Sequence, residues 1–144
     1  YFGRLQYDYK GKYLLSAVVR RDGSTKFGPQ NRFGIFPSGS VGWVVSDEDF
    51  LKNNTFLNLL KVRASYGILG NDRIPDYRYV SLLNGEGTYI FNDIENIGTA
   101  SGGIANPEIR WEKQKTFDIG LDMRFANNKI DVTTDYFKRR TEDL

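Results

Sequence analysis

The sequence predicts an all-β chain, a segment of an antiparallel transmembrane β-barrel with about six strands. Three observations carry this: apolar and polar residues alternate with period 2 through six segments, one face is almost free of charge, and short and long connections alternate.

The segments lie near 1–9, 13–21, 32–46, 59–69, 112–125 and 129–138. In the first, Gly3, Leu5, Tyr7 and Tyr9 share one face and Arg4, Gln6 and Asp8 the other. Lys10-Gly11-Lys12 then makes a tight turn into Tyr13, Leu15, Ala17 and Val19. Phe33, Ile35, Val41, Trp43 and Val45 follow, against a face of mostly small residues. Pro37 cannot donate to a ladder and predicts a bulge or bend. Leu60, Val62, Ala64, Tyr66 and Ile68 alternate with Lys61, Arg63, Ser65 and Gly67. The fifth segment sets Phe117, Ile119, Leu121, Met123 and Phe125 against Asp118, Asp122 and Arg124. After a turn at Asn127-Asn128, Ile130, Val132, Thr134 and Tyr136 oppose Asp131, Thr133 and Asp135.

The connections obey the same plan. Lys10–Lys12 and Ala126–Asn128 are short, Asp47–Asn58 is moderate, and 22–31 and 70–110 are long outward loops. Asp22-Gly23-Ser24 reads as a turn with an Asx-type cap, and Ser46 as the cap of one helical turn over 47–52. The stretch 70–110 reads as irregular, and its length marks a functional loop.

Composition narrows the function. Lys plus Arg number 20 against 18 Asp plus Glu, so the clustered basic excess of a nucleic-acid binder is missing. With no cysteine there is no disulfide or thiolate-held metal, and with no histidine the commonest general base and zinc ligand are gone. No nucleophile constellation, phosphate loop or metal cluster is visible. The chain is therefore expected to be no enzyme and to need no cofactor.

Alternation alone also suits a soluble sandwich. Charge decides for a membrane. Arg4, Asp8, Arg20, Lys61, Arg63, Asp118, Asp122, Arg124, Asp131 and Asp135 all share the polar face, as a watery lumen permits. Outward-phase charges at Arg21, Lys113, Lys115 and Lys138 sit only at strand ends. At mid-bilayer a lipid-facing Lys or Arg costs about 2–4 kcal/mol. Tyr9, Tyr13, Trp43 and Phe125 beside the short turns, with Tyr66 and Tyr136 toward the long loops, match two aromatic girdles. Small closed barrels use about eight strands, so six are expected to belong to a larger one.

Several stretches resemble the barrel of the SusC/RagA-type TonB-dependent outer-membrane transporters of the Bacteroidetes. They are Tyr13-Leu14-Leu15-Ser16-Ala17, Arg20-Arg21-Asp22-Gly23-Ser24 with Phe27-Gly28, Phe36-Pro37-Ser38, and Gly42-Trp43. Leu60-Lys61-Val62-Arg63-Ala64-Ser65-Tyr66-Gly67 with Gly70-Asn71, and Asn106-Pro107-Glu108-Ile109-Arg110-Trp111-Glu112-Lys113, are the most specific. Phe117-Asp118-Ile119-Gly120-Leu121-Asp122 and Asp135-Tyr136-Phe137 complete the series.

The resemblance implies a barrel of about 22 strands with a plugged lumen. It implies TonB-dependent import of a nutrient such as an oligosaccharide or peptide across the outer membrane of a Gram-negative bacterium. The implied partners are the rest of the parent barrel and its plug, a SusD-like surface lipoprotein, the TonB complex, the lipid bilayer and the substrate. Plug and TonB-contact roles fall on no residue here. Two alternatives stay open: a soluble aromatic-rich β-sandwich that binds carbohydrate, and a carboxylate-based hydrolase.

Candidate site residues follow. Tyr77, Tyr79, Tyr89, Phe91 and Trp111 could wall a substrate cavity by ring stacking, or could pack the long loop against its neighbours. Lys61, Arg63, Asp118, Asp122, Arg124, Asp131 and Asp135 are expected to face the lumen and pair across strands. Asp22 suits a turn better than a cation site, and the run Asp47-Glu48-Asp49 suits a solvated helix start better than acid–base work. Asn53-Asn54-Thr55 fits a glycosylation pattern, discounted for a bacterial protein.

Overall fold

The computed structural model describes residues 1–51, 54 and 56–143, and only the backbone of Asn84 and Glu86. The glycosylation pattern at 53–55 lies partly outside the described residues. Among the described residues eight strands form: β1 (Phe2–Tyr9), β2 (Tyr13–Gly23), β3 (Phe33–Val44), β4 (Leu57–Asn71), β5 (Leu83–Phe91), β6 (Ile94–Ser101), β7 (Glu112–Phe125) and β8 (Ile130–Glu142). Six make one antiparallel sheet in the order β1-β2-β3-β4-β7-β8, and β5 with β6 makes a separate hairpin. The sheet is open.

Register converts the alternation of each strand into two continuous faces. One row runs Tyr7, Leu15, Val41, Ala64, Ile119, Tyr136 across all six strands. The neighbouring row of opposite phase runs Asp8, Leu14, Gly42, Arg63, Gly120, Asp135. A one-residue slip anywhere would mix the two, so a buried or lipid-covered face fixes every register at once. The apolar side carries exposed Leu5, Tyr7, Leu15, Val41, Ile119 and Tyr136 with no second layer packed on it among the described residues. An uncovered apolar face this broad marks contact with lipid or another protein.

The rims differ. Lys10–Lys12 turns tightly, with positive φ at Lys10 and Gly11 and with Gly11 N–H donating to Asp8 Oδ1 at 2.7 Å. The Ala126–Lys129 turn uses positive φ at Ala126, Asn127 and Asn128, and Asn58 Oδ1 accepts from the Asn128 amide at 3.3 Å. Asn and Gly populate this left-handed region most readily, which suits Gly11, Asn127 and Asn128, while Lys10 and Ala126 adopt it without that preference.

The opposite rim holds the main buried cluster. Phe27 is fully buried, Phe36 and Trp111 nearly so, and Ile68, Ile74 and Ile109 pack against them. The β3–β4 ladder ends at Ser38, and the Phe36 ring lies so close over Gly34 and Gly70 that a Cβ on either would overlap it.

Five expectations are corrected. Pro37 sits in unbroken register opposite Val19, with no bulge. It lies beyond the end of the β3–β4 ladder, where β3 has only β2 beside it and a missing donor can be tolerated. Val45–Asp47 forms a single 3-10 turn that ends β3 early; Ser46 is buried inside it and gives it no side-chain cap. Asp22 and Gly23 stay in β2 and pair with Gly34 and Phe33; Ser24 Oγ instead accepts the Lys26 amide at 3.4 Å. β8 runs on to Glu142. The stretch 70–110 is not wholly irregular, because β5 and β6 form a hairpin within it. Asn92 and Asp93, both with positive φ, make its two-residue turn, the pattern of type I′. A register shift between Asn84 and Gly87 breaks the period-2 pattern there, which hides the strand in the sequence.

Candidate functional site: the charged face and the long-loop rim

The charged face is organised around Arg63. Its side chain leaves β4 opposite Gly120, where the missing side chain opens a path over β7. A Cβ at Gly120 would stand 2.6 Å from Arg63 Cζ and 2.5 Å from Asp135 Oδ1. Through this notch Arg63 Nη2 meets Asp135 Oδ1 of β8 at 2.6 Å. Its Nε donates to Asp122 Oδ2 at 3.2 Å, and Nη1 lies 3.9 Å from Asp118 Oδ1. One guanidinium thus ties three carboxylates on two strands, and its rigid fork of donors suits that task better than an ammonium.

Arg124 and Asp131 form a separate pair, Nε to Oδ2 at 3.1 Å, in direct register. Lys61 is opposite Asp122 in register, and its stem lies over Gly42. The candidate polar residues therefore share one face, and four of them form one cluster. Gln6, Ser16, Ser40 and Ser65 form a row of uncharged polar side chains that runs across β1 to β4 up to Asp118 of this cluster.

The aromatic candidates divide. Trp111 packs between Phe27 and Phe36, with ring centroids 5.1 and 5.3 Å away, and its Nε1 donates to Arg32 O at 3.3 Å. It anchors the loop base and presents no face to a ligand. Tyr79 is half-buried beside Gly28. Tyr77 is exposed with φ near 60°, and Tyr89 and Phe91 are exposed on the β5–β6 hairpin. The structure does not gather these five residues into one cavity. Tyr89 and Phe91 share a hairpin face with Ile94, while Ile90 and Ile97 occupy the other. Loop ends are tied to one another: Asn31 Nδ2 donates to Ile109 O at 3.2 Å and the Asn106 amide to Arg78 O at 2.9 Å.

One organised group had no clear sequence signal. At the short-turn rim Glu48 Oε1 accepts from Tyr13 OH at 2.7 Å and from Trp43 Nε1 at 3.1 Å, while Oε2 meets Lys12 Nζ at 3.1 Å. These hydrogen bonds, the Tyr13 one foremost, hold the Glu48 carboxyl down at about 2, and the same carboxylate raises the Lys12 ammonium. Residues 12, 13, 43 and 48 converge only once β2 and β3 pair. Outward-phase charges at the opposite rim are also engaged: Lys115 Nζ meets Glu142 Oε2 at 2.6 Å, and Arg21 Cζ lies 4.5 Å over the Phe33 ring.

Comparison with known proteins gives one family. The family described as TonB dependent receptor-like, beta-barrel, matches residues 1–144. The chain is 38% identical to TonB-dependent receptor P39 of Formosa agariphila over 99% of its own length and 13% of that protein. It is 39% identical to TonB-dependent receptor SusC of Bacteroides thetaiotaomicron, covering all of this chain and 15% of SusC. Solved structures of the RagAB peptide transporter and of the RagAB peptide importer in an open-open state superimpose with TM-scores of 0.85 and 0.87. Both are 28% identical and cover 99% of this chain and 15% of the solved one. The chain thus spans about one seventh of the length of the relatives it matches.

Proposed function

Because the chain belongs to the TonB-dependent receptor β-barrel family, we propose that it is a wall segment, with two extracellular loops, of a larger importer barrel in the outer membrane of a Gram-negative bacterium. The observation that carries this reading is the apolar row Tyr7, Leu15, Val41, Ala64, Ile119, Tyr136, backed by the charged row through Arg63. Hydrocarbon on one side and a watery lumen on the other is the environment that such a ribbon fits. Both free edges, β1 and β8, then pair with further strands of the parent barrel, since an open edge has no hydrogen-bond partner in lipid.

The intact barrel imports an oligosaccharide or a peptide. The RagAB peptide transporter among its relatives supports a peptide substrate, and together with SusC it supports a SusD-like surface lipoprotein as partner. Coupling to the TonB complex runs through a plug outside this chain. Within the chain, exposed Tyr77, Tyr89 and Phe91 are the rings available to substrate, and Lys61, Arg63, Asp118, Asp122, Arg124, Asp131 and Asp135 line the lumen. The relatives are receptors and transporters by name, which supports a role without catalysis. The soluble sandwich has no support: among the described residues no second sheet covers the apolar face.

Spin labels at Val62, Ile119 and Val132 of the intact barrel test the reading. Each is expected to be reached by oxygen and shielded from a water-soluble relaxation agent. Labels reached mainly by the aqueous agent would sink it.

A further inference from the structure

The outward face is not flat. In its central row tall Tyr7 and Tyr136 flank short Ala64. The next row toward the long loops is low in its centre, at Ala17 and Gly39, before rising to Tyr66 and Phe117. The row toward the short turns is tall across β1 to β3, with Tyr9, Tyr13 and Trp43. A hollow results, floored by Leu15, Val41 and Ala64 and walled by Tyr7, Tyr13 and Trp43.

Its wall at the short-turn end is fixed in place. Tyr13 and Trp43 stack at 6.5 Å with 12° between ring planes, and Glu48 Oε1 accepts from both. Their side chains cannot swing to fill the hollow without breaking those bonds. Arg63 is among the lining residues, but its guanidinium is engaged with Asp122 and Asp135 on the opposite face. The surface of the hollow is therefore uncharged, which matches hydrocarbon and disfavours a polar partner. At its rim Lys12 is bonded to Glu48, whereas Lys10 carries its ammonium 5.2 Å over the Tyr9 ring, on the outward side.

We propose that this hollow seats an acyl chain of a bilayer phospholipid, with Lys10 receiving the lipid phosphate. The proposal rests on the outward face being lipid-facing. Apolar fit supplies the attraction along the chain, and the rim cation supplies the charge complement just beyond the aromatic band. The pinned rings make it a preformed seat instead of general lipid contact.

Native mass spectrometry of the intact barrel, purified from membranes in mild detergent, tests this. The unaltered protein and Val132→Trp, which adds bulk on β8 away from the hollow, are expected to carry co-purified phospholipid. Ala64→Trp, which fills the floor, is expected to lose it, and Lys10→Glu to weaken retention. Retention by Ala64→Trp equal to that of the unaltered barrel overturns the proposal. If Ala64→Trp does not assemble, the exposed-turn variant Lys10→Glu decides alone, and unchanged retention overturns it. Occupancy by a second protein chain instead of lipid also overturns it. A spin label at Ile119 separates the two levels: lipid contact there without a retained phospholipid removes the seat alone, whereas an aqueous signal removes the importer reading as well.

Discussion

Arg63 of β4 reaches Asp135 of β8 across the whole width of β7, Nη2 to Oδ1 at 2.6 Å, because Gly120 leaves the way open. A long-range ion pair thus depends on one absent side chain. Gly120→Val is expected to push the guanidinium aside and leave Asp118, Asp122 and Asp135 without their common cation. Asp135→Asn removes only one of three contacts. Both variants should lower the thermal unfolding midpoint of the intact barrel, Gly120→Val by more. A larger drop for Asp135→Asn would contradict the notch.

The outward row sets a second expectation. Ile119→Lys places a charge at the middle of the exposed apolar face, and with lipid on that face as proposed it should destabilise the barrel in vesicles by about 2–4 kcal/mol. Ser65→Lys, one strand away but on the polar face, should stay within about 0.5 kcal/mol. Denaturant unfolding in lipid vesicles measures both. Equal effects would mean that the faces do not differ in solvent.

Trp111 anchors the loops. Trp111→Ala empties the space between Phe27 and Phe36 and should cost about 3–5 kcal/mol of local stability. The damage is expected in the segments around Phe27 and Ile109, not in the β4–β7 ladder. Limited proteolysis should therefore cut those loops faster while the strands stay protected.

Glu48 makes the short-turn rim sensitive to acid. Its folded-state pKa is depressed from 4.5 to about 2, so its contribution is complete above the unfolded value and fades as pH falls through that window. The Lys12 pKa is raised by the same contact, and its contribution is complete below its ordinary 10.5 and is lost only in stronger alkali. Between these limits the group is intact. Fluorescence of Trp43, read against a Trp43→Phe background, should shift as pH drops from about 4.5 toward about 2. Glu48→Gln should abolish that shift.

The β5–β6 hairpin depends on its turn. Asn92 and Asp93 both hold positive φ, where a β-branched side chain is strained. Asn92→Val should loosen the hairpin, while Asp93→Gly should tighten the turn, because Gly holds a positive φ without steric cost. Hydrogen exchange at the Tyr89 and Asn96 amides reports the order of stability, and a slower exchange in Asn92→Val would refute it.

The sequence by itself determined the two faces, the six strands of the sheet and the alternating rims, because side-chain direction in a strand repeats every two residues and a turn needs only its own few residues. It left the hairpin unseen, since the shift at Asn84–Gly87 erased the local period. It grouped Arg63, Asp118, Asp122 and Asp135 on one face but not around one guanidinium, and it read Glu48 as part of a solvated helix start. It held Trp111 open between ligand wall and packing. Only the tertiary structure decided these, because each depends on which strands lie side by side and in what register. Phase is a local property of the chain; a meeting between residues 48 and 13, or between 63 and 135, exists only after distant segments have paired.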